Sequence, residues 1–213
     1  REAIALKIST YDIVVSLEHA AWAGPLATNA LRRCLGKKLI TLPTPFFSGL
    51  FPDKAYLKYE GATSRSQAVL GDYHSALILE EVKLGFATEK IVQRYVSGES
   101  FDRLNVEGIW NDSLAELKNR ESQTDISLSD FIEQTIEHGT IAAQFLSFNH
   151  PAEGLIDHIA RKIVHRITGK WMDKPLMTRE RHNLYAGALW PLHPSVAARL
   201  CLPHPGETRF KRP

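Results

Sequence analysis

Two histidines stand where small polar residues lead into apolar periodic segments. His150 follows Asn149 and precedes Pro151 in the stretch Gln144 to Thr168. His74 sits in Gly71-Asp72-Tyr73-His74-Ser75, ahead of Ala76, Leu77, Leu79, Val82 and Leu84. Each is expected at the start of a helix. A histidine there can orient a carbonyl, act as a base or meet a phosphate. The plainer reading is that Asn149 and Asp72 cap the two helices and the imidazoles only flank them. That reading explains each turn separately, and explains less well why the pattern occurs twice.

The surrounding elements must position these groups. Phe145 to Phe148 is a short apolar run and reads as a buried strand. The helix after it carries Leu155, Ile156, Ile159, Ile163 and Ile167 at three- and four-residue spacing. Pro151 fits its first turn. Tyr11 to Leu17 is β-branched and reads as a strand. A helix from Gly24-Pro25 stops at Gly36, and Lys38 to Leu42 is a second strand. Strand, helix, strand implies a parallel unit with a right-handed crossover. The expected fold is α/β: a short, mostly parallel sheet holding Tyr11–Leu17, Lys38–Leu42 and Phe145–Phe148, with a large helical share around it. Pro43 to Pro52, reading PTPFFSGLFP, cannot be a regular element. Its aromatics either plug the core or line a ligand cleft. Residues 53–61 read as a polar, Tyr-rich loop or a short helix. Further helices are expected at Glu89 to Val96 and Leu104 to Arg120. A single domain over residues 1–202 is expected, with a loose tail over 203–213.

Composition narrows the function classes. The 213 residues include 44% hydrophobic ones, enough for a sizeable core. A net charge of +2 does not announce a nucleic-acid binder. No apolar run approaches the roughly 20 residues that cross a bilayer. Two cysteines, Cys34 and Cys201, form no CxxC pair. That argues against a disulfide scaffold or a structural zinc site and fits a reducing cytoplasm. No metal site is expected. His158 and His165, seven apart, read as part of a solvated face with Arg161, Lys162 and Arg166. The P-loop, dinucleotide and GxSxG fingerprints are all missing.

Taken together, YDIVVS, PTPFFSGLFPD, GDYHSALILEEVKLGF, FNHPAEGLIDHIARKI and WPLHPSVAARL resemble the WcbI-type polysaccharide biosynthesis family, over roughly Tyr11 to Leu202. The resemblance implies an α/β fold, a cavity for coenzyme A as co-substrate, and acetylation of a sugar during capsule assembly. Family members usually begin with a strand and a Gly-Asn-Cys-Gln turn; this sequence starts just after the place for that turn. The expected protein is a cytoplasmic, coenzyme-A-binding acyltransferase. Its partners are a sugar or polysaccharide precursor and other polysaccharide biosynthesis enzymes, with no nucleic acid and no membrane span. Acyl transfer to a hydroxyl needs a base and an oxyanion donor. His150 is the first candidate base, His74 the second, and the two are expected to face a common cavity. Asn149 is the candidate donor. Tyr73 and Ser75 are candidate ligand contacts. Arg65, Lys54 and Lys58 are candidate phosphate contacts. The alternatives are a sugar-ester esterase with Ser75 as nucleophile, and a binding module for coenzyme A or a nucleotide.

Overall fold

The computed structural model describes residues 2–67, 71–175 and 190–203. These segments hold eight α-helices and six short strands. α1 (Glu2–Ile8) leads into β1 (Val14–Leu17). α2 (Thr28–Leu35) ends at Gly36, whose φ of 56° falls where a side chain would be strained. β2 (Leu39–Leu42) then pairs parallel with β1, Val14 opposite Leu39. This is the expected parallel unit. β2 is buried along its whole length, whereas β1 leaves Val15 and Leu17 partly exposed. The fold is mixed α/β with helix predominant.

The remaining strands depart from the single expected sheet. β3 (Lys54–Tyr56) and β4 (Tyr73–Ser75) form an antiparallel ladder of their own, with Tyr56 opposite Tyr73. Both segments had read as loop, short helix or helix lead-in. Three-residue strands are too short for alternation to show. β5 (Phe145–Ser147) is a strand as expected. It pairs antiparallel with β6 (His150–Pro151) rather than joining β1 and β2. The proline explains β6. A residue before proline is pushed to extended backbone, so His150 continues a strand instead of opening a helix.

α3 (Ala76–Lys83) and α4 (Thr88–Ser97) make a hairpin held by Glu81. Glu81 is fully buried and accepts from Arg94 Nε at 3.0 Å and Ser100 Oγ at 2.8 Å. α5 (Val106–Glu121) and α6 (Ser129–Glu137) follow, and α7 (Glu153–Thr168) begins two residues after β6. Residues 190–193 form no regular element and lead into α8 (Pro194–Arg199). Among the described residues no helix is long and apolar enough to cross a membrane. The expected tail lies, from residue 204, outside the described residues.

The main core is where PTPFFSGLFP ends up. Phe47 and Leu50 are each 1% exposed. The Phe47 ring meets Trp110 edge-on at 4.8 Å and Phe145 at 5.7 Å. Its backbone N–H donates to Phe148 O at 2.7 Å, fastening the loop to the β5–β6 turn. Arg120 secures the other side by donating to the carbonyls of Thr44 and Phe46. The outer face of α7 is less solvated than its charges imply. His158 stacks on Phe131 at 4.3 Å and His165 on Trp171 at 4.1 Å. Burial pushes the His158 imidazole down to about 4.

Candidate functional site

Asn149 does not cap α7; the helix begins after Ala152. The β5–β6 turn instead turns the Asn149 side chain toward the β3–β4 ladder. Tyr73 OH donates to Asn149 Oδ1 at 2.6 Å, and Asn149 Nδ2 donates to Tyr56 OH at 2.9 Å. Ser147, 1% exposed, donates to the same Oδ1 at 3.0 Å. His150 Nδ1 lies 2.6 Å from Ser147 Oγ and 3.1 Å from Tyr73 OH. Both hydroxyl protons are therefore directed at the amide oxygen. The remaining contacts are satisfied when Nδ1 carries the proton and donates to Ser147, which places the imidazole lone pair on Nε2. Burial lowers the His150 pKa, opposed by the Asp72 carboxylate. The ring is accordingly neutral near pH 7 and able to accept a proton.

The candidate residues divide into two groups. His150, Asn149 and Tyr73 form one cluster, although Tyr73 is 76 positions from Asn149 in sequence. Tyr56 and Ser147 belong to it and were not singled out from the sequence. Ser147 did leave a signal: it is a polar residue inside an apolar strand, next to the Asn-His-Pro turn. His74 lies elsewhere. Successive strand residues point to opposite faces, so with Tyr73 turned to the cluster His74 turns away. Its Nε2 meets the Ser66 carbonyl at 3.2 Å. Ser75 is buried, and its Oγ accepts from Ile78 N–H as the cap of α3. Arg65 stacks 3.4 Å above the Tyr56 ring and pairs with Asp72 at 2.9 Å. Lys58 is exposed.

Lys54 opens a second region. Its side chain is 5% exposed, and the ammonium bonds Asp53 at 2.9 Å and Tyr95 OH at 3.1 Å while lying 4.0 Å above the Trp190 ring. Burial lowers its pKa, against the pull of Asp53. These groups edge a cavity of about 260 Å³ between the 50–54 loop, α4 and residues 191–196. A wider cavity of about 670 Å³ lies beside Arg32, Lys37 and Arg166, at the start of β2. Neither imidazole, His74 or His150, lines these two cavities.

The model of the family described as polysaccharide biosynthesis enzyme WcbI matches residues 3–169. The chain belongs to the WcbI family. Among solved structures, a WcbI protein aligns with a TM-score of 0.73 at 20% sequence identity, covering 99% of this chain and 68% of that one. It is described as a novel polysaccharide biosynthesis enzyme, in its native form without a disulfide bond between coenzyme A and a cysteine. At that identity the likeness speaks for the fold. No curated protein matches the chain in sequence. The family match spans β1 through α7, and so takes in the whole Tyr56–Tyr73–Ser147–Asn149–His150 cluster of this WcbI-family chain.

Proposed function

We propose that this WcbI-family protein binds coenzyme A and transfers an acyl group, acetyl in the simplest case, from its thioester to a sugar hydroxyl in surface or capsular polysaccharide assembly. The observation that carries the reading is the 2.6 Å contact between His150 Nδ1 and buried Ser147. With the tautomer in which Nδ1 donates to Ser147, Nε2 is the proton-accepting nitrogen, as a general base requires. The sugar O–H gives its proton to Nε2, and the oxygen forms a bond to the thioester carbonyl carbon. The carbonyl electron pair moves to oxygen, where an Asn149 Nδ2 proton is the nominated donor. The C–S bond then breaks, and the thiolate leaves with the proton held by the imidazolium. Arg65 and Lys58 are the cations we set against the phosphates of the donor. The Ser75 hydroxyl, the nucleophile of the esterase alternative, accepts from Ile78 N–H as the cap of α3.

Thermal unfolding with coenzyme A, acetyl-coenzyme A and nucleotide sugars tests the binding half. A ligand present at 100 times its Kd stabilises the folded state by about 2.7 kcal/mol. For a domain of this size that raises the midpoint by roughly 5–10 °C. Coenzyme A and its acetyl ester are expected to give that shift. A shift with nucleotide sugars alone contradicts the donor assignment.

A further inference from the structure

We propose that Asp72 is a positioning residue shared between Arg65 and His150: a phosphate that draws Arg65 to itself leaves the Asp72 carboxylate to hold the imidazolium that His150 becomes during transfer. This rests on the acyl-transfer reading above, in which Arg65 meets the phosphates of the donor. Tyr56 and Tyr73 stand opposite each other in the β3–β4 ladder, so their side chains share one face. The Tyr56 ring carries the Arg65 guanidinium at 3.4 Å, and Asp72 reaches that guanidinium at 2.9 Å. Asp72 lies in the bend before β4, outside the alternation that turns His74 away. Its carboxylate therefore stands on the side of the ladder that holds the cluster. Among the described residues, Asp72 is the charged group whose field acts on the imidazole, and it favours the protonated ring. The nearer neighbours, Ser147 and Tyr73, meet the ring through hydroxyls. Tyr56 reaches the cluster through Asn149, and burial pushes its phenol up, so it too is uncharged near pH 7.

Arg65 offsets that field as long as it stays on the carboxylate. The pair is open to competition. The two side chains are 50% and 29% exposed, and ion pairs in that setting are weak and screened. A phosphate offers the guanidinium two parallel hydrogen bonds, whereas the contact with Asp72 runs from Nη1 to Oδ2. Once Arg65 turns to a phosphate, the carboxylate charge is no longer cancelled and the imidazolium is stabilised. Asp72 stays ionised throughout and acts by charge. The proton still passes from the sugar O–H to Nε2 of His150.

The test is an NMR titration of the His150 imidazole, which needs no turnover. Coenzyme A is expected to raise its midpoint by about one pH unit in the parent, and by clearly less in Asp72→Asn. S-acetyl-N-acetylcysteamine, the same thioester without phosphates, is expected to leave the midpoint in place. Arg65→Met keeps a stem over Tyr56 and removes the charge, so it is expected to raise the midpoint with no ligand added. Adding Asp72→Asn to it should cancel the rise, which separates the carboxylate from the simple loss of a cation. If Arg65→Met does not fold, Arg65→Gln serves the same purpose. A coenzyme A shift of equal size with and without the Asp72 carboxylate, or no rise in the Arg65 variant, overturns the sharing. If coenzyme A fails to bind while the Arg65 variant still shifts the midpoint through Asp72, the sharing between the side chains stands and the donor reading falls.

Discussion

Replacing His150 with alanine is expected to lower acyl transfer by about 10²–10⁴-fold, the usual cost of losing a general base, with the fold and most coenzyme A affinity retained. The ring is half-buried at the edge of a turn, so its truncation removes little packing. The Tyr73–Asn149 and Asn149–Tyr56 hydrogen bonds do not pass through the imidazole and are expected to survive. The assay is thiol release from acetyl-coenzyme A with a capsule-type sugar acceptor. His138, at the end of α6, serves as the control position. His182 and His204, also natural controls by sequence, lie outside the described residues. Turnover equal to the parent removes His150 from the base role. Unfolding of the variant would mean that the turn was built for packing.

Asp53→Ala is expected to destabilise the protein by about 3–5 kcal/mol, because it strands the Lys54 charge in the interior. Asp53 and Lys54 are 3% and 5% exposed at their side chains. Asp53 O also anchors the start of α3 through Ala76 N–H at 2.7 Å, a backbone contact that alanine keeps. The double variant Asp53→Ala, Lys54→Met is expected to recover much of the loss, since no charge is then left unpaired. The deficit of the single variant should shrink as pH rises. Unfolded Lys54 holds its proton up to about 10.5, whereas the buried ammonium gives it up earlier. The unfolded state then binds more protons, and stability increases with pH. Equal stability of the single and double variants in denaturant melts would show that the pair is not a buried charge problem at all.

The parallel β1–β2 unit was legible in sequence because it is built from β-branched runs and ends its helix on Gly36. α5 and α7 were legible through their long apolar periods. What escaped was short and non-local. β3, β4 and β6 have two or three residues each and leave no period to read. The site depends on them: Tyr56 and Tyr73 reach Asn149 only because β3 and β4 pair and then meet the β5–β6 turn. His150 and Asn149 were identified from the turn, but the reason differed from the helix start inferred there. Pro151 extends the chain, and the polar groups face the β3–β4 ladder instead of capping α7. His74 was paired with His150 on the likeness of their flanks, and strand alternation separates them. Ser75 and Lys54 carried chemistry-bearing side chains whose hydrogen bonds go to a helix cap and a buried carboxylate. No spacing rule shows that in advance.

The pH dependence of kcat/KM for acyl transfer tests the His150 assignment most directly, since it reports the essential base of the free enzyme. Burial holds the His150 imidazole below the ordinary histidine value of 6.5. The acidic limb of the profile, where the ring takes up a proton, is therefore expected to be centred below 6.5. The residual activity of His150→Ala should lack that acidic limb. A limb centred at or above 6.5, or one that persists unchanged in His150→Ala, would contradict the account.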